Sequence, residues 1–317
     1  MLSLPPRPFL PAALATAALA LASCAAQPAG AGLDTLRVAA SFYPVQFLAE
    51  RIAGDTAHVI GLTPPGQEPH SLTLTGPDLA ALRESGVVLY IGNGLQADVE
   101  KAVSVLPGDV RVAELLQTAG LDLLPADPGT EEHHDAADAE HDDHNHGATD
   151  PHFWLDPARY ATAARAVADE LTAADPGNAD AYAANLQALT VDLEALDAEL
   201  EDGLALCAGD TLVVAHSAFG YFTDRYRLTQ VGIAGLSPDD EPDARTLADI
   251  TQTAQAAGVG TVFFEEALPP KLAQGVAEAV GADVAALETA EFVPADGDYL
   301  DLMRANGRSV QAGLDCK

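Results

Sequence analysis

The chain has 317 residues, with 48 Asp and Glu against 15 Lys and Arg, a formal net charge of −33 at pH 7. Such a surface repels phosphates and excludes nucleic acid as a partner, while it favours cations. A salt-adapted surface carries the same signature, so charge alone proves no metal function.

Taken in order, the first residues hold one basic group, Arg7, and lead into an apolar run from Pro11 to Ala22. That run is too short and too Ala-rich to span a bilayer, and it suits an export signal. It ends Leu21-Ala22-Ser23-Cys24, which resembles the bacterial lipobox. Residues 1–23 therefore read as a signal peptide, Cys24 as a lipidated first mature residue and 24–34 as a tether. A plain signal peptide with a chance Cys is the alternative.

Residues 36–41 alternate as a strand, 42–53 have helical spacing, and 57–62 form the next strand, with His58 at an alternating position that reads as structural or exposed. The second strand runs into Thr63-Pro64-Pro65-Gly66-Gln67-Glu68-Pro69-His70-Ser71, a loop stiffened by proline. Gly76-Pro77-Asp78 opens a helix to 85, since Pro is tolerated in a first turn. A buried strand at 87–91 and a helix at 95–106 follow. Short strands alternating with helices predict a parallel sheet with right-handed crossovers, whose functional loops lie at the carboxyl ends of the strands.

The next stretch changes character. Of the nine histidines, His133, His134, His141, His144 and His146 fall in an acidic tract without Lys or Arg. A short His-rich tract is a compositional metal signal, and neutral imidazole suits zinc, copper and nickel. It cannot bury a core, so it reads as a solvated loop, 127–149, that gathers metal weakly. Asp150-Pro151-His152-Phe153-Trp154-Leu155-Asp156-Pro157 follows, with the only Trp and two prolines. A histidine between bulky apolar groups on stiff backbone is placed as a rigidly held ligand would be.

Residues 157–174 read as a helix. Tyr182, Leu186, Leu189, Leu193, Leu196, Leu200 and Leu204 then form one amphipathic stripe. A helix of about thirty residues would span ~40 Å. It reads as a rigid spine, with a coiled-coil partner as the weaker alternative. The α/β pattern restarts with strands at 211–215, 230–234, 261–264 and 284–287 and helices at 219–225, 242–257, 270–280 and 299–314. The expected class is α/β: two lobes, each a small mostly parallel sheet flanked by helices, joined by one long helix. The lobes are 35–176 and 207–317, with 177–206 between them. Cys207 and Cys316, an isolated pair in an exported chain, read most simply as a disulfide. It would close a loop of about a hundred residues, worth ~4–5 kcal/mol in the chain-entropy model.

His70 and His216 each follow a predicted strand, and His152 sits in a stiffened turn before a helix, but spacing alone does not make them converge. The segments Pro-Gly-Gln-Glu-Pro-His70-Ser, Asp-Pro-His152-Phe-Trp-Leu-Asp-Pro, Val-Ala-His216-Ser-Ala-Phe-Gly-Tyr-Phe and Gly-Leu-Ser-Pro-Asp-Asp-Glu-Pro (235–242) resemble the solute-binding lipoproteins of zinc and manganese ABC transporters, particularly the zinc-specific branch. The resemblance covers essentially the whole mature chain, and the acidic His-rich loop before Asp-Pro-His is itself typical of zinc members. It implies two lobes with one metal ion in the cleft, His70 and His152 contributed by the first and His216 by the second. For the fourth position Glu291 aligns best, with Glu288 or water as alternatives, because the Pro-Leu-Glu-Gly setting of the family is absent here. Glu265, at the end of a neighbouring strand, is expected to accept a hydrogen bond from a ligand imidazole. Three imidazoles and a carboxylate suit zinc better than manganese, which prefers more oxygen. The implied role is capture of Zn2+ outside the cytoplasm by a lipid-anchored monomer for an ABC permease and its ATPase. The competing readings are a zinc buffer or adhesin-type lipoprotein and, less favoured, a zinc hydrolase. No His-Glu-x-x-His motif supplies the base a hydrolase needs, and no catalytic residue is assigned.

Overall fold

The computed structural model of the chain describes residues 35–126, 149–240 and 242–317. Cys24 and the five tract histidines, His133, His134, His141, His144 and His146, lie outside the described residues.

Two four-stranded sheets organise what is described, and each strand pairs with its neighbours in parallel. The first contains β1 (Leu36–Ala40), β2 (Ala57–Gly61), β3 (Val87–Tyr90) and β4 (Arg111–Glu114), in the order β2-β1-β3-β4. Its crossovers carry α1 (Tyr43–Ala53), α2 (Gly76–Glu84) and α3 (Ala97–Val103), and α4 (Leu115–Thr118) follows β4. The second sheet contains β5 (Thr211–His216), β6 (Thr229–Ala234), β7 (Thr261–Phe264) and β8 (Asp283–Ala286), ordered β6-β5-β7-β8. Its helices are α7 (Gly220–Tyr226), α8 (Ala244–Ala256), α9 (Lys271–Val280) and α10 (Tyr299–Gly313). Between the sheets in sequence come α5 (Pro157–Ala174) and α6 (Ala179–Leu204). The expected α/β class with two parallel sheets and one long helix is what the chain forms.

The period of two along each strand divides the apolar residues between two faces. Val38, Ala40, Val87 and Leu89 on the first sheet, and Leu212, Val214 and Phe263 on the second, join one large core with α1, α5, α6, α7 and α10. The alternate residues face outward into two smaller cores: Ala39 and Val88 with α2 and α3, and Val213 and Val262 with α8 and α9. The α6 stripe of Tyr182, Leu189, Leu193, Leu196, Leu200 and Leu204 is buried, and the helix packs on α1, α5 and α10. Its apolar face is thus consumed within the chain. Gly307 of α10 permits that packing, since an added Cβ would collide with the Leu200 side chain.

β4 and α4 are absent from the sequence expectation. Arg111 and Val112 are exposed and β4 is an edge strand, so it lacks the apolar run that marked the others. Glu114, an unusual N-cap, accepts from the Leu116 and Gln117 amides and starts α4 at once. α3 starts later than expected, at Ala97, where Gln96 turns inward, its Nε2 donating to Thr63 Oγ1 at 3.0 Å, and it ends earlier, at Val103. No helix among the described residues is long and apolar enough to cross a membrane.

Cys207, after α6, is bonded to Cys316, after α10, across a sequence separation of 109. The crosslink ties the two helices that flank the second sheet and removes loop-closure entropy from the unfolded chain. Replacing both by serine should lower the unfolding free energy by about 2–5 kcal/mol, read by denaturant titration. A midpoint and slope equal to those of the parent chain would show that the crosslink contributes nothing.

Candidate metal centre

His70 and Glu291 lie on connections that follow strands, His216 is the last residue of β5, and His152 sits just before a helical turn. His70 lies in the loop that follows β2. The Glu68 carboxylate accepts from the amides of His70 (3.0 Å) and Ser71 (2.7 Å), which folds the loop tip and turns the imidazole inward. His152 precedes a single helical turn, Phe153–Leu155, which Asp156 joins to α5 by capping its first amides. Asp150 Oδ1 accepts from both the His152 amide (2.9 Å) and its Nδ1 (2.7 Å). With the proton on Nδ1, the Nε2 of His152 faces the cluster.

His216 ends β5, and Glu265 immediately follows β7, the neighbouring strand. Here the strand order changes direction and opens a crevice, the place where doubly wound sheets bind ligands. His216 Nδ1 donates to Glu265 Oε1 at 2.6 Å, and Thr289 Oγ1 donates to Glu265 Oε2 at 3.2 Å. The outer atom, His216 Nε2, is buried with no hydrogen-bond partner among the described residues. Glu291 enters on the loop after β8. That loop is fastened to the first lobe, since Trp154 Nε1 donates to Thr289 O (2.7 Å) and Tyr299 Oη donates to Trp154 O (2.5 Å).

One ligand atom from each of His70, His152, His216 and Glu291 lies within 4.8 Å of the others. Glu291 Oε1 stands 3.3 Å from both His70 Nε2 and His152 Nε2. Atoms around a tetrahedral ion with bonds of ~2.1 Å are about 3.4 Å apart, so the two separations from Glu291 have the size of a four-coordinate site. The four are nearly sealed from solvent, His70 being the most accessible with a side chain 3% exposed. Of the two carboxylates weighed for the fourth place, the structure brings Glu291 into the cluster. Glu288 turns away and accepts from the Glu266 amide at 2.9 Å. Ala290, just before Glu291, is buried at φ 58°. A side chain in that left-handed region costs about 1 kcal/mol, strain held where the loop must aim a carboxylate inward.

The electrostatics follow from packing carboxylates and imidazoles without water. Burial alone would push the Glu291 carboxyl up, but His70, His152 and His216 hold it well below the usual carboxylate range. Burial likewise disfavours the His152 cation, yet Asp150 and Glu291 raise that imidazole to about 9. His216 is raised by Glu265 against the same penalty. The pocket is built for positive charge, which protons or a cation can supply.

Three contributors escaped sequence reasoning. Asp150 orients His152, and its signal was the Asp two residues before a ligand-type His, a spacing that lets one carboxylate hold amide and ring together. Thr289 and Trp154 reach the site only through contacts far apart in sequence, which no local pattern encodes. His58, by contrast, is exposed on edge strand β2, away from the cluster. Asp239 and Asp240 lie in a turn in which the Gly235 amide donates to Asp240 O at 3.2 Å, and neither is among the four.

Comparison with known proteins agrees with this architecture. The family described as "ZnuA: Zinc-uptake complex component A periplasmic" matches residues 38–313. The "Zinc-binding lipoprotein AdcA" of Streptococcus pneumoniae serotype 4 (strain ATCC BAA-334 / TIGR4) is 30% identical over 303 residues, covering 94% of this chain and 59% of its own. The chain thus spans well under two thirds of that relative's length. The "High-affinity zinc uptake system protein ZnuA" of Bacillus subtilis (strain 168) is 29% identical, covering 89% of this chain and 88% of its own. Among solved structures, the laminin-binding protein of Streptococcus agalactiae, described as having adhesin and metal-transporting activity, superposes with a TM-score of 0.76 at 28% identity, covering 88% of this chain and 99% of that one. The chain belongs to the family of periplasmic zinc-uptake complex component A proteins.

Proposed function

We propose that this protein captures zinc outside the cytoplasm and hands it to an ABC permease driven by its ATPase. The observation that carries this reading is the buried cluster of His70, His152, His216 and Glu291, drawn from connections on both sheets. On this reading 35–176 and 207–317 are the lobes, 177–206 links them, and the four side chains are the ligands. Family membership and the zinc-binding relatives support it. Three imidazoles select a borderline cation over manganese, and a carboxylate in the fourth position leaves no open corner for a reacting water. That favours binding over hydrolysis. Lipidation at Cys24 would hold the protein at the membrane surface. Intact mass of membrane-extracted protein should carry an acylated Cys24, and a soluble product cleaved elsewhere would remove that part of the reading.

His216 is the decisive ligand, because it alone of the imidazoles comes from the second sheet. His216→Ala should weaken zinc by two or more orders of magnitude in competitive titration, while His58→Ala leaves it unchanged. It should also abolish most of the zinc-induced stabilisation, ~4 kcal/mol for a ligand at a thousand times its Kd. His216→Glu restores a donor but hardens the site, so relative preference should move toward manganese. A chain lacking 131–147 should keep the tight site and lose weaker ones. Zinc binding to His216→Ala at parental strength would overturn the site.

Loading should also be pH-dependent. The metal-free protein holds protons on imidazoles whose folded values are raised, to about 9 for His152. Zinc needs the neutral rings, so protons leave as it enters. Affinity should therefore rise with pH up to about 9, roughly tenfold per unit for each proton displaced. In the metal-free protein the sign reverses: the raised imidazoles stabilise the fold below the ordinary histidine range, and that contribution fades as pH climbs through about 9. Calorimetry at pH 7.5 in buffers of different ionisation heat counts the protons, and a count of zero would contradict the charged-ring picture.

A further inference from the structure

The second sheet reaches the metal centre by a route besides His216. After His216 the chain runs Ser217-Ala218-Phe219-Gly220-Tyr221 into α7. The Tyr221 side chain is directed back at the segment that carries His152. Its hydroxyl donates to Asp150 O at 2.7 Å and accepts from the Leu124 amide at 3.0 Å. The Asp150 amide in turn donates to Leu124 O at 3.0 Å, and Pro125 and Thr149 form an antiparallel bridge beside it. Asn93 Nδ2 donates to Thr149 O from the loop after β3. One phenol therefore pins both the segment at Leu124 and the segment at Asp150.

The adjoining residue completes a socket. An added Cβ on Gly220 would stand 2.5 Å from Asp150 Oδ2, so glycine here makes room for the carboxylate that aims His152. The Tyr221 ring is itself held, with the Arg159 guanidinium 5.0 Å over it. Arg159 is fixed by the Asp156 carboxylate (2.7 Å) and by the Asp224 carboxylate (3.0 Å) of α7. Ring, hydroxyl and gap form a shaped receptor on the second lobe for a single aspartate of the first.

We infer that Tyr221, seated beside Gly220, is a positioning residue for metal binding: from the second lobe it sets the backbone of Asp150 and hence the aim of the His152 imidazole. This rests on the reading that His152 ligates the ion. Four residues separate His216 from Tyr221, so one connection controls a ligand directly and the orientation of a second across the cleft. A shift of that connection would release both together, which ties tight binding to a single lobe arrangement.

The test uses zinc and cobalt(II) on the full-length protein. Tyr221→Phe keeps the ring and removes the hydroxyl. It should weaken zinc about tenfold, the scale of one to two buried hydrogen bonds. It should also change the visible absorption of the cobalt-loaded site, which reports ligand geometry. In an Asp150→Ala background the same change should shrink to about twofold or less, since the two act in series. His152→Ala is run alongside. If His152→Ala loses tight zinc but Tyr221→Phe keeps parental affinity and spectrum, whatever its thermal midpoint, positioning by Tyr221 is wrong and the ligand reading survives. If His152→Ala binds like the parent, the ligand reading itself falls. Should Tyr221→Phe fail to fold, Gly220→Ala keeps the hydroxyl and displaces Asp150 directly; it should give the same loss of affinity and spectral change, and parental values there overturn the inference.

Discussion

A buried carboxylate among three imidazoles is the constraint on which the rest depends. Glu291 is sealed from water, and an isolated ion there would cost several kcal/mol after relaxation. The His70, His152 and His216 rings offset that cost and hold the carboxyl well below its usual range. Two of the rings are aimed by a further acceptor: Asp150 for His152 and Glu265 for His216. The pocket therefore concentrates acceptors around donors whose protons are exchangeable. A divalent cation and a pair of protons are electrostatically similar occupants of such a place, which is why a binding site of this kind can stay folded both before and after it loads.

The fold supplies what the electrostatics need. Parallel strands bring several chain connections to one end of each sheet, and the switch in order between β5 and β7 places His216 beside Glu265. Helical and strand periodicity made this architecture legible in the sequence: the Leu stripe of α6, the short apolar strands and the prolines that stiffen the loops at His70 and His152. Where the pattern failed, burial was missing. β4 is an exposed edge, and α3 starts late because a polar side chain, Gln96, is turned inward.

The site was legible to a different degree. Single motifs offered His70, His152 and His216 as candidates, yet their convergence depends on two sheets folding against one another, which no local spacing encodes. Glu291 was preferred to Glu288 only by alignment with the family, with no local signal to separate them, because the choice is made by backbone geometry: Ala290 at φ 58° precedes the carboxylate that enters the cluster, while Glu288 accepts from the Glu266 amide. Thr289 had no signal of its own, since what it does is defined by the group it touches, and Asp150 was marked only by its spacing two residues before His152.

A single core runs through both sheets. It includes Val38 and Leu89 of the first, Leu212 and Val214 of the second, and the α6 leucines between them. Domains that share a large apolar interface do not rotate freely, because rotation would expose that interface to water. The same restriction applies between these sheets. The four side chains, however, sit at its rim, His216 at the end of β5 and the other three on connections, and the Trp154 and Tyr299 hydrogen bonds tie those segments together. Rearrangement is therefore cheapest in those connections, where a few hydrogen bonds change, and costliest in the helical spine, where it would expose the shared apolar core.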